Sequence, residues 1–177
     1  MARFAALLRG VNVGPTTRVP MAELRELLEE LGATDVKTLL NSGNAVFHLH
    51  ASPKAIDGIV SDAISERFGF QVDVVCRTKK QLESVLAHDP FGDAVTDESK
   101  SFVFFMPEPP RAAAIGPVLE AEYPDGEACA LKGREFYLWA PNGGAKSPAA
   151  EALKKSKAVR FTTARNVRTV RKIVDAF

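Results

Sequence analysis

Val36-Lys37-Thr38-Leu39-Leu40-Asn41-Ser42-Gly43-Asn44-Ala45-Val46-Phe47-His48-Leu49 reads as two strands, Val36–Leu40 and Ala45–Leu49, joined by the turn residues Asn41-Ser42-Gly43-Asn44. The elements on either side of this hairpin decide what it means. Upstream, Arg3–Leu8 is apolar at both alternating sets of positions, the pattern of a central strand covered on both faces. Pro20 then opens a helix at the position where its missing N–H costs nothing. Met21, Leu24, Leu27, Leu28 and Leu31 keep helical spacing, Glu23, Glu26, Glu29 and Glu30 lie outside, and Gly32 closes the helix. Downstream, Ser52-Pro53 reads as an N-cap followed by proline, ahead of a stripe of Ile56, Ile59, Val60, Ala63, Ile64 and Phe68 that ends at Gly69. Val72–Cys76 is a further strand. The order is βαββαβ, the ferredoxin-like unit.

The remainder of the chain repeats that order. Thr78 caps a short helix carrying Leu82, Val85 and Leu86, with Gln81 at the capping-box position. Phe102–Met106 is apolar on both faces, and a helix around Arg111–Ile115 is interrupted at Gly116-Pro117. Ala128–Leu131 and Phe136–Trp139 pair across Lys132-Gly133-Arg134. Ser147-Pro148 caps a helix through Lys155, and Val159–Thr162 is a short strand. A last helix, capped by Thr163, carries Val167, Val170, Val174 and Phe177. The fold class is therefore α+β: two βαββαβ halves related by duplication, plus a C-terminal helix. The expected divisions are 1–88 for the first half, 89–100 for a polar, acidic linker, and 101–177 for the second half with its closing helix.

Strand order carries the functional expectation. A right-handed βαββαβ unit has sheet order 4-1-3-2, so the exit of the first strand and the hairpin between the second and third fall at one end. Arg9, Gly10, Asn12 and Gly14 are then neighbours of Asn41, Ser42, Gly43 and Asn44. A rim of amides, glycine backbone and one guanidinium suits an anionic or phosphate-bearing small ligand. Arg9 and Arg165 are the expected charge clamps. Asn12, Asn41, Asn44 and Asn166 are the expected amide contacts, and Gly10, Gly14 and Gly43 allow close backbone approach.

Composition sets bounds on the alternatives. The chain has 177 residues, 46% hydrophobic content and a net charge of +1, so no global charge points to nucleic acid. The charge is uneven, however. From Lys154 to the end there are eight Lys/Arg against one acid, Asp175, while residues 1–153 carry 15 basic against 21 acidic residues. Arg168, Arg171 and Lys172 share a helical face, so sequence-tolerant nucleic-acid binding by this basic segment is the second reading, with salt-sensitive affinity as its mark. An enzyme of unassigned reaction is the third.

The other motifs carry less. Pro141-Asn142-Gly143-Gly144-Ala145-Lys146-Ser147 lies between a strand and a helix, but Ala140 and Ala145 stand where a nucleotide P-loop requires glycine. Lys146 and the N–H groups after Ser147 could hold one anion. His48 and His50 lie on one strand face without a local carboxylate or cysteine, so no metal is expected, and no cofactor. Cys76 and Cys129 lack metal or redox spacing and read as free thiols of a reducing compartment. With no room for a signal peptide and no apolar run of spanning length, the expected location is cytoplasmic, with no membrane partner.

Several of these residues together resemble a known family. Leu7-Leu8-Arg9-Gly10-Val11-Asn12-Val13-Gly14, Met21-Ala22-Glu23-Leu24, Leu31-Gly32, Val36-Lys37-Thr38 and Ser42-Gly43-Asn44-Ala45-Val46-Phe47 resemble the bacterial domain-of-unknown-function family 1697. Thr162-Thr163-Ala164-Arg165-Asn166 with Thr169-Val170 is similar to that family's closing pattern. The chain departs from the family in having Val167 in place of a tryptophan, and Pro15 where a further glycine is common. The resemblance implies a two-part α+β fold and supplies no reaction.

Overall fold

In the computed structural model, which describes residues 2–177, the first half holds β1 (Ala2–Leu8), α1 (Met21–Glu30), β2 (Thr34–Leu39), β3 (Asn44–Leu49), α2 (Ile56–Phe68) and β4 (Val74–Arg77). Its strands form one antiparallel sheet in the order β2-β3-β1-β4. After α3 (Lys79–Ala87), the second half holds β5 (Ser101–Phe105), α4 (Ala112–Glu120), β6 (Ala128–Lys132), β7 (Glu135–Trp139), α5 (Pro148–Ser156) and β8 (Thr163–Asn166). The second sheet has the order β6-β7-β5-β8, which is the first order repeated element for element. The chain ends with α6 (Val167–Asp175). It is an α+β protein of two βαββαβ halves and a closing helix, as the hairpin and helix signals require.

Two compact units emerge: one runs through Glu83 and takes in Lys172–Phe177, the other spans Ser84–Arg171. In the first, Phe4, Ala6 and Leu8 of β1 join Ala45, Phe47 and Leu49 of β3 against Leu24, Leu27 and Leu28 of α1 and Ile56, Val60 and Ile64 of α2. Burying each of the large aliphatic or aromatic side chains contributes about 1.5–3 kcal/mol. Ala5, Leu7, Val46 and Val75, at the alternate positions, are fully buried too, which is why β1 is apolar throughout. The chain's end returns to this unit: the Ala176 carbonyl accepts from Lys37 Nζ at 2.9 Å and from Arg3 Nη2 at 3.3 Å, and Arg3 lies over the Phe177 ring.

The second unit packs Phe136 and Leu138 of β7 with Ile115 and Val118 of α4 and Ala149 and Leu153 of α5. Phe104 meets Phe136 edge to face at 5.8 Å. Gly144 is held close: a Cβ there would come within 2.9 Å of the Phe102 ring.

Local signals explain most element ends. Thr78 and Gln81 form the expected capping box, with Thr78 N donating to Gln81 Oε1 at 2.8 Å and Gln81 N to Thr78 Oγ1 at 3.3 Å. Four elements differ from the sequence reading. Ser52 does not cap α2 by its side chain; its carbonyl accepts from Ala55 N and Ile56 N, making a turn that feeds the helix. α4 continues through Pro117 to Glu120. The ring removes a bond to the Ala113 carbonyl, a loss of about 3 kcal/mol that burial of Ile115 and Val118 offsets at about 1.5–3 kcal/mol each. The last strand is Thr163–Asn166 rather than Val159–Thr162, because its buried positions are the polar Thr163 and Arg165. Asn166 and not Thr163 then caps α6, accepting from Thr169 N at 2.8 Å. Among the described residues, no helix is long and apolar enough to cross a membrane.

Candidate functional site

The exit of β1 lies between the β2–β3 turn on one side and the start of β4 on the other. Leu7 is paired with Asn44, and Leu8 N donates to the Gly43 carbonyl at 2.9 Å. On the far side Leu8 is paired with Val74, and Arg9 N donates to the Asp73 carbonyl at 2.9 Å. Gly43 is fixed by this apposition. Its φ is +78°, and a Cβ there would lie 2.5 Å from Val11 Cγ2 and 2.8 Å from Leu8 Cβ. The turn can sit against the strand only because residue 43 has no side chain.

Asn12 joins the two loops. It adopts φ +57°, a conformation asparagine tolerates better than most residues. Its Nδ2 donates to the Asn41 carbonyl at 2.8 Å and to the Val19 carbonyl at 2.9 Å, while its Oδ1 accepts from Val19 N at 2.9 Å. Its backbone N also donates to Thr17 O at 2.8 Å. Asn44 is fully buried, with Nδ2 on the Leu39 carbonyl at 2.9 Å and on Ser42 Oγ at 3.1 Å. These two asparagines therefore hold backbone in place.

Around that frame lie Gly10 at φ +66°, Gly14, and the exposed residues Asn41 and Ser42. Arg9, 52% exposed, pairs through Nη1 with Asp73 Oδ2 at 3.0 Å. Val13 and Leu40 are exposed apolar side chains on the same two loops. The result is a ledge: an oriented guanidinium beside two polar turns whose backbone is locked.

Arg165 and Asn166 belong to β8 in the second unit. Arg165 is buried, with Nη1 donating to Thr163 Oγ1 at 3.0 Å and to the Ala164 carbonyl at 2.8 Å, and desolvation pulls its guanidinium down to about 10. The other tail cations are partly answered. Arg168 pairs with Asp97 at 3.2 Å, Arg171 with Glu98 at 2.8 Å and Lys155 with Glu151 at 3.6 Å. The hydroxyl and amide of Ser99, then Arg168, hold the Asp97 carboxyl below its ordinary range.

The glycine-rich segment before α5 already has its anion. Glu127 Oε1 accepts from Ala149 N at 2.7 Å and from Ser147 Oγ at 2.8 Å, and Ser147 Oγ accepts from Ala150 N at 3.0 Å. A carboxylate of this chain thus occupies the helix N-terminus that an external anion would use. His48 faces Asp35 at 3.2 Å. Burial first, and then Asp57, push the Cys76 thiol well up, so it is not an activated nucleophile.

Three partners were absent from the sequence reading: Asp73 for Arg9, Glu127 for Ser147, and Arg111 for the basic segment. Arg111 shares a groove of about 620 Å³ with Lys154, Lys157 and Arg160. Only the Asp just before β4 carried a local signal, as an acid entering a strand beside the β1 exit.

The profile of a family described as "Protein of unknown function (DUF1697)" matches residues 1–137, a stretch that contains the whole ledge. The chain belongs to the DUF1697 family. Among solved structures, it is similar to the conserved bacterial protein SP0830 from Streptococcus pneumoniae, with 26% identity and a TM-score of 0.79, over 99% of this chain and 97% of that one. No curated protein matches. Within this DUF1697 chain, Lys154, Lys157, Arg160, Arg165 and Asn166 lie beyond the matched stretch.

Proposed function

We propose that this DUF1697 protein binds a small anionic or phosphate-bearing ligand on the ledge of its first unit. Arg9 supplies the charge, and the backbone of residues 10–14 with the Asn41-Ser42 turn supplies close polar contacts. The observation that carries the reading is the Asn12 side chain, whose Nδ2 ties the strand exit to the hairpin turn at the Asn41 carbonyl beside Arg9, while two hydrogen bonds to Val19 brace its own loop. A site that must recognise a ligand benefits from loops that are already ordered, because less entropy is lost on binding. Asn12 and Asn44 act as framework in this reading, and Asn41 and Ser42 as contacts. The Arg9–Asp73 pair is half-exposed and contributes at most about 1 kcal/mol, so an incoming phosphate can share or displace it at small cost.

The test is a thermal-shift screen of phosphorylated small molecules against the native protein and the double variant Arg9→Ala, Asn41→Ala. At least one ligand is expected to raise the native melting temperature and to leave the variant unmoved. Equal shifts in both proteins for every phosphorylated ligand would remove the ledge as a site.

Nucleic-acid binding by the basic segment stays as the second reading, supported by fewer charges than the sequence counts. Arg165 is buried and Lys155, Arg168 and Arg171 are paired, which leaves Lys154, Lys157, Arg160 and Lys172 to the reading.

A further inference from the structure

The duplicated fold gives the second unit a counterpart of the ledge. Phe105, the last residue of β5, is paired with Glu135 of β7 and with Thr163 of β8. The β5 exit, the β6–β7 turn and the start of β8 therefore meet as their equivalents do in the first unit. The turn is tied to the exit here too: Met106 N donates to the Arg134 carbonyl, and Arg134 Nη1 to the Pro107 carbonyl, both at 3.0 Å.

At this end the chain forms the groove of about 620 Å³, within the range that takes a small ligand. One wall is the β5–α4 connection with Glu108 and Arg111, and the other is the end of α5 and the loop after it, with Lys154, Lys157 and Arg160. Arg111 straps the walls together, its backbone N on the Ala158 carbonyl at 2.9 Å and its Nη2 on the Lys157 carbonyl at 2.7 Å. Arg111 is also the N-cap of α4, so the positive end of that helix adjoins the groove.

Four cations thus line one concavity with a single carboxylate. Among the described residues, Arg111, Lys154, Lys157 and Arg160 take part in no ion pair, whereas Lys155, Arg168 and Arg171 of the same basic segment each do. Like charges gathered in a concave surface repel one another and focus the field, and a multivalent anion relieves both effects. Guanidinium and ammonium groups side by side suit phosphoryl oxygens.

We infer that the groove of the second unit binds a chain of phosphoryl groups. The inference does not rest on the ledge reading. The shared chemistry is a run of phosphates, and its source is either a nucleoside polyphosphate or the backbone of a nucleic acid.

Titration calorimetry on the full chain at low salt, with inorganic tripolyphosphate as the probe, tests this. The native protein is expected to bind, and Lys154→Gln, Lys157→Gly, Arg160→Gln in combination are expected to weaken binding by about tenfold or more. Glycine is used at 157 because that residue has φ +50° at the end of α5, where glycine is favoured. The charge-keeping pair Lys154→Arg, Arg160→Lys is expected to bind within about threefold of native, and the paired-cation control Arg168→Gln, Arg171→Gln within about twofold. If the triple variant fails to fold by circular dichroism, Lys157→Gly alone is compared with the same control and is expected to lose about threefold.

No binding by the native protein overturns the inference, and so does an equal loss in the groove and control variants. ATP and a mixed-sequence single-stranded oligonucleotide form two further arms. Whichever binds more tightly identifies the source, provided that the groove variant loses it; retention by that variant overturns the groove. The groove variants are also compared in an Arg9→Ala background: the same loss there assigns the binding to the groove whatever the ledge holds, and no loss there overturns the groove, so failure of the ledge and failure of the groove are told apart.

Discussion

At one end of each sheet the same three segments converge, and the two ends have been finished differently. In the first unit the β1 exit is closed by the Asn12 amide, and its arginine is answered by Asp73. In the second the connections stay apart enough to leave a groove, and its four cations take part in no ion pair among the described residues. The fold sets where loops meet; whether their charges are answered internally is decided by single residues at the meeting point. At the first end the loops are tied to one another, and at the second the exposed cations stand together.

The largest expected effect comes from the two hairpin tips. Gly43→Ala forces a Cβ against Leu8 and Val11 at φ +78° and is expected to lower stability by about 2–4 kcal/mol. Gly133→Ala has φ +61° but its nearest neighbour is 3.9 Å away, so only the backbone conformation is strained, at about 1 kcal/mol. Urea unfolding of both variants measures the difference; equal losses would mean that the first tip is not held more tightly than the second.

Asn12→Ala comes next. Removing three hydrogen bonds, each contributing about 1 kcal/mol, is expected to cost about 2–3 kcal/mol. Amide hydrogen exchange should speed up at Val19 and in the 40–43 turn while the second sheet stays protected. Uniform acceleration through the chain would break the picture of a local latch.

The smallest effect separates the cysteines. Both folded thiols have raised values, Cys76 well above 9.0 and Cys129 at about 11, so each binds its proton more tightly folded than unfolded. Their stabilisation is whole below the unfolded value near 9 and is lost as pH rises from there toward the folded values, for Cys76 by roughly 1 kcal/mol per pH unit. Unfolding midpoints from pH 8 to 10.5 are expected to fall, and to fall less in Cys76→Ala than in Cys129→Ala. A flat native profile would contradict both shifts.

Much of this was legible in the residues. Turn chemistry at 41–44 and helix spacing on either side suffice for the strand order, and strand order alone brings Arg9 to the hairpin. What the residues do not reveal has two physical causes. Partners such as Asp73 for Arg9 and Glu127 for Ser147 lie 64 and 20 positions away along the chain, where no periodicity links them. β8 is shifted by four residues from the apolar stretch Val159–Thr162 that local sequence marks as a strand. Its buried positions, Thr163 and Arg165, are polar and satisfy each other by a hydrogen bond at 3.0 Å. Helix α4 passes Pro117 for the complementary reason: side-chain burial outweighed a backbone preference that local sequence expresses strongly.

The bond from Asn12 N to Thr17 O closes residues 13–16 into a tip hung from a finished frame. Val13 at its crest is 81% exposed and touches little that the core depends on. Those four positions can therefore be exchanged or lengthened without retuning the sheet beneath, so an ancestral scaffold of this kind could acquire new selectivity by rewriting a short peptide while keeping its folding intact.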